Sequence, residues 1–172
     1  MTRTPPASAG DQHAPERGRP EGHGERTGPV SGPGPRILGF ALLVAAGSTV
    51  GTFVRAGLGT AFPAAEGQWP WTTFGINVLG SLLLGVFLEA LSRAGEDTGW
   101  RRRVRLAAGT GVLGGFTTYS TYVLEIDRLA GAGHLPVAAA YALVSVIAGV
   151  AAAGLGVAAV AAVARRAGRG HR

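Results

Sequence analysis

Six consecutive hydroxyl residues, Thr117, Thr118, Tyr119, Ser120, Thr121 and Tyr122, follow glycines at 109, 111, 114 and 115 in a stretch, GTGVLGGFTTYSTYVL, otherwise apolar enough for a bilayer. In hydrocarbon every peptide group needs a partner, and backbone that leaves the helix survives only when buried in protein or lining a wet cavity. Each glycine lowers helix propensity by up to about 1 kcal/mol relative to Ala, so the cluster lets the chain unwind or another backbone approach. Close helix packing is the ordinary use of small residues in membranes. Six hydroxyls exceed what back-bonding to nearby carbonyls requires. They supply O–H donors and positive aromatic ring edges, both of which attract an anion. On a helix Thr118 and Tyr122 share a face, as do Tyr119 and Tyr122, and the segment is read as lining a permeation path.

Further polar side chains stand in other apolar runs. Asn77 lies near the middle of the second, followed at four-residue intervals by Ser81 and Gly85. A carboxamide at that depth must be satisfied by a partner helix, water or a permeant species, so an interhelical clamp and a path lining are both open. Tyr141 and Ser145 are the strongly polar residues of the last run; they extend the path, or serve as an interfacial anchor and a self-bonded hydroxyl. Arg55 closes the first run and either snorkels to the surface, gathers anions at a vestibule or ties loops together. Glu89, Glu125 and Asp127 fall at run ends, where solvated or Arg-paired carboxylates are ordinary. No acid sits at a span centre, which argues against proton-coupled antiport, and no histidine spacing suits a metal. The absence of cysteine excludes disulfides and thiolate sites. Nothing resembles a catalytic constellation, and the chain is read as a non-enzyme.

Four apolar runs must position these residues: Ile37 to Val54, Trp69 to Leu88, Leu106 to Leu124 and Leu135 to Ala164. With their flanks they give spans of about 37–58, 69–91, 104–127 and 135–164, each long enough to cross a hydrocarbon core of roughly 30 Å. The expected fold is all-α, an integral membrane protein with four transmembrane helices per subunit. Residues 1–36 are rich in Pro, Gly, Arg, Glu and His and are expected to be a disordered extension; 165–172 form a basic tail. The net charge is +6 and all sixteen basic residues are Arg. They flank apolar spans instead of forming a stripe with interleaved aromatics, so membrane topology accounts for them better than nucleic acid does. Fourteen lie with the two termini and the 93–105 loop, against Arg55 and Arg128 on the other side, which predicts cytoplasmic termini.

Three motifs carry a family resemblance: GSTVGTFVR at 47–55, FGINVLGSLLLG at 74–85 and GGFTTYSTYVLE at 114–125. Over about residues 37–164 the chain resembles the Fluc (CrcB) fluoride channels. The resemblance implies a subunit for passive, fluoride-selective export across a bacterial plasma membrane, in an antiparallel dual-topology dimer with a broken third helix. It also implies a structural sodium ion (Na+) at the dimer centre, to which Gly114 and Thr117 would offer backbone carbonyls. Asn77, Ser81, Thr118, Tyr119, Tyr122, Tyr141 and Ser145 would line the fluoride pathway, with Arg55 at the vestibule. The chain departs from the family pattern at Tyr119 and Tyr122, where two Phe are usual, and more mildly at Ser48 and Ala56. Its unbalanced Arg distribution points to a separately encoded, oppositely oriented partner in preference to a homodimer. The rival readings are a small dual-topology multidrug-type transporter, which would want an acid in its first helix, and a non-conducting membrane assembly subunit.

Overall fold

The structure is a computed structural model and describes residues 34–169. The expected disorder of 1–36 therefore falls almost wholly outside the described residues. Among these, regular structure is entirely helical.

Helix α1 spans Pro35–Ala61, its proline seated in the first turn where a missing N–H costs nothing. Helix α2 spans Trp71–Arg93, and Trp69 lies in the turn before it. The last helix, α6, spans Leu135–Arg169 and so carries helical structure into the stretch read as a basic tail. These three helices are long and apolar enough to cross a membrane.

The third run is not one helix. It consists of α3 (Gly99–Val104), a π-helical segment (Arg105–Leu113), α4 (Gly114–Phe116) and, after an interruption, α5 (Ser120–Gly131). Thr117 is extended (φ −75°, ψ 159°), so the axis breaks immediately after the glycine pair. The α5–α6 turn closes with Gly133 at φ 84°, where the N–H groups of Gly133 and His134 donate to the carbonyls of Ala130 and Leu129 at 3.0 and 2.8 Å. This is the left-handed helix stop that glycine makes without a Cβ clash.

Two backbone-to-backbone seams hold the described helices together. Helix α1 packs along the π segment and α4, while α2 packs along α6. In the first seam a methyl on Gly47 would strike the Ala107 carbonyl, on Gly51 the Val112 carbonyl and on Gly115 the Ser48 carbonyl. In the second, Gly85 faces the Ala153 carbonyl and Gly156 the Leu82 carbonyl. Without a hydrophobic drive between helices in lipid, close approach of this kind supplies the packing attraction. At one end an aromatic core gathers around Leu129, Ala138 and Tyr141, with Trp69, Phe74 and Tyr122 against it.

The seams predict opposite responses at two glycines of one helix. Gly51→Ala forces backbone apart and should lower stability by about 1–3 kcal/mol. Gly57→Ala meets nothing within 4 Å and should be neutral or slightly stabilising. Thermal unfolding of the two variants in detergent checks both.

Candidate functional site

The break after Phe116 is stabilised by side chains from other helices. Asn77 on α2 makes two bonds to one residue: its Nδ2 donates to the Thr118 carbonyl at 3.0 Å, and its Oδ1 accepts the Thr118 N–H at 2.8 Å. The Thr118 hydroxyl accepts the Thr121 N–H at 3.2 Å and donates to the Thr121 hydroxyl at 3.1 Å, capping the start of α5. From α1, the Thr52 hydroxyl and the Arg55 Nε both donate to the Gly115 carbonyl, at 3.4 and 3.3 Å. Ser48 reaches the Gly111 carbonyl at 3.4 Å. Arg55 is thus turned to the interrupted run and tied to it.

These bonds release backbone oxygens. In an unbroken helix the Thr118 N–H would bond the Gly114 carbonyl and the Thr121 N–H the Thr117 carbonyl. Here the first goes to Asn77 and the second to the Thr118 hydroxyl. Gly114 and Thr117 therefore keep carbonyls without their helical donors. Such oxygens suit a hard cation. Gly114 is also open, with only the Gly109 carbonyl near an added Cβ, at 3.9 Å.

Beside the break lies a groove of about 310 Å³. Six of the seven residues expected on the fluoride pathway line it, Asn77, Ser81, Thr118, Tyr119, Tyr122 and Ser145, together with Thr117. Among the described residues no charged side chain does. Its floor depends on Gly80, where a Cβ would run into the Thr117 methyl. Asn77 can offer the groove its second N–H, since a carboxamide has two and Thr118 takes one. Ser145 is 8% exposed, and its Oγ has no hydrogen-bond partner among the described residues. The start of α5 adds the positive end of a helix dipole.

The two tyrosines differ. Their rings lie 5.9 Å apart, but the Tyr122 hydroxyl donates to the Ala142 carbonyl at 2.7 Å and is withdrawn from the groove. Tyr119 is 79% exposed, with no hydrogen bond to its hydroxyl among the described residues. What Tyr122 contributes to the groove is its ring.

Tyr141, expected beside Ser145 on the pathway, is not among the lining residues. It is fully buried one helical turn away, its ring 5.4 Å from those of Tyr122 and Trp69. Its hydroxyl donates to one Glu125 oxygen at 2.7 Å while Thr73 donates to the other at 2.7 Å. Glu125, read from sequence as an ordinary run-end carboxylate, thus joins α2, α5 and α6. The one available signal was its place a helical turn beyond Thr121 and Tyr122, on the hydroxyl face.

Known proteins share this chain's pattern. A family model described as CrcB-like protein, Camphor Resistance (CrcB), matches residues 42–157. The chain is 43% identical over 115 residues to the fluoride-specific ion channel FluC 1 of Cutibacterium acnes, covering 67% of this chain and 78% of that one. Two relatives come from Streptomyces avermitilis. One, fluoride-specific ion channel FluC 2, is 38% identical over 145 residues, or 82% of each chain. The other, FluC 3, is 43% identical over 120 residues, covering 70% of this chain and 57% of the relative's length.

The Asn77 clasp makes a stability prediction independent of transport. Asn77→Ala leaves the Thr118 N–H and carbonyl both unanswered and should cost about 1–3 kcal/mol for each. Faster hydrogen exchange at the Thr118 amide, with a lower unfolding midpoint, would register it. Ser81→Ala on the same wall should change neither.

Proposed function

The chain belongs to the CrcB-like family, and we propose that it is a subunit of a fluoride-selective channel that passively exports fluoride from the bacterial cytoplasm. The groove beside the interrupted third run carries this reading. Fluoride is small and tightly hydrated, so a path must replace its water with several donors without holding it too firmly to leave. The second N–H of the Asn77 carboxamide, the Ser145 hydroxyl and the rings of Tyr119 and Tyr122 are neutral groups of that kind. A fixed cation in the lining would hold the anion; none is there.

Transport needs no coupled proton. Hydrogen fluoride enters as a neutral acid and dissociates at cytoplasmic pH, and the membrane potential then drives the anion outward. Helix α1 carries no carboxylate that could run proton-coupled export of a drug.

The groove opens on the flank of the subunit, with Tyr119 exposed, which favours completion by a second subunit in antiparallel orientation. Arg asymmetry favours a paralogous partner inserted the other way, a homodimer being the alternative, and would leave the termini of this chain cytoplasmic. Streptomyces avermitilis carries two relatives with separate numbers, so paralogous pairs exist in such bacteria. The donor-free Gly114 and Thr117 carbonyls fit a sodium ion at the centre of that dimer, where the ion would neutralise oxygens exposed by the break.

Fluoride efflux from liposomes tests the reading. Asn77→Asp places a negative charge on the path and should cut the flux by roughly a hundredfold, from repulsion at about 4 Å in a partly screened site. Tyr122→Phe should conduct, because the lost hydroxyl faces Ala142. If neither this chain alone nor its co-expressed paralogue releases fluoride, the subunit is a structural one and the channel reading fails.

A further inference from the structure

Around the start of α1 and the short helix α3 lies a band of arginines: Arg36, Arg101, Arg102, Arg103 and Arg105. Two are engaged locally. Arg105 pairs with Asp97 at 2.6 Å, and Arg101 donates to the Glu96 carbonyl at 3.2 Å. Among the described residues Arg36, Arg102 and Arg103 have no carboxylate partner. These three line a cavity of about 580 Å³ whose α1 wall is Gly39, Phe40 and Leu43. Among the described residues Asp97 is the one acid in the lining, and Arg105 pairs with it.

The Arg102 guanidinium sits 5.0 Å from the centre of the Phe40 ring. That contact holds the guanidinium against the apolar wall, within the cavity. Depth is marked independently. Trp100 is 61% exposed beside Arg101, and Ile37 and Leu38 are exposed on α1, a juxtaposition of indole, arginine and aliphatic side chains that belongs at a membrane–water interface.

We propose that the cavity between α1 and α3 binds the headgroup phosphate of an anionic phospholipid, with Arg36, Arg102 and Arg103 as donors. Guanidinium forks match phosphate oxygens in paired bonds. The apolar wall of Phe40 and Leu43 takes the start of an acyl chain, which a free phosphate ion would leave unused. The inference rests on membrane insertion alone and is independent of what the groove conducts.

The test is lipid retention by the full chain, purified in mild detergent, delipidated, and offered equal amounts of phosphatidylglycerol and phosphatidylcholine before native mass spectrometry. Phosphatidylglycerol should be retained selectively. Arg102→Gln should weaken its retention about fivefold, and the combined Arg36→Gln, Arg102→Gln and Arg103→Gln variant roughly a hundredfold. Arg165→Gln with Arg166→Gln should leave it unchanged. Equal retention of the two lipids, or an undiminished preference in the triple variant, overturns the proposal. So does displacement of phosphatidylglycerol by millimolar inorganic phosphate, which would make this a free-anion site. Should the triple variant fail to fold, the single Arg102→Gln variant decides by the same measure.

Discussion

The two hydrogen bonds between the Asn77 carboxamide and the Thr118 backbone are the interaction on which the rest of the chain's polar architecture depends. A peptide group in hydrocarbon cannot leave its helix unless something else answers it. Asn77 answers both halves of Thr118, and the Thr118 hydroxyl then answers Thr121. Thr52 and Arg55 do the same for the Gly115 carbonyl from the opposite side. The interruption is thus a bonded structure built by α1, α2 and the run itself, and its by-products are a polar groove and two carbonyls without helical donors.

Close glycine contacts make this bonding possible. The Ser48 and Thr52 hydroxyls reach a neighbouring backbone only where the helices nearly touch. Gly47 and Gly51 against Gly111 and Gly115 provide that contact. Gly85 and Gly156 do it for α2 and α6, which brings Ser145 to the same groove as Asn77 and Ser81.

Much of this was legible in the residues. The apolar runs marked α1, α2 and α6, since length and lack of charge alone set them. Glycines followed by six hydroxyls marked the interruption as plausible, and four-residue spacing put Asn77 with Ser81 and Thr118 with Tyr122. What could not be read were bonds between residues far apart in the chain. The Asn77–Thr118 clasp joins positions 41 apart, and Glu125 accepts hydrogen bonds from helices on either side of it. For the same reason Tyr141 could not be told from a lining residue: its composition and spacing fit, but its partner is Glu125. The π-helical winding of 105–113 also has no signature beyond glycines that equally suit an α-helix.

The α1 seam has a mechanical corollary. Its small residues recur every four positions on both sides, a rise of about 6 Å, and no side chain cushions the backbones between them. Sliding by less than that interval would drive Cα atoms into carbonyl oxygens, so α1 and the segment through Phe116 are indexed like meshed teeth and must shift as a block. The joint left to bend is Thr117 to Tyr119, held by the Asn77 carboxamide on one side and the Thr118 hydroxyl on the other.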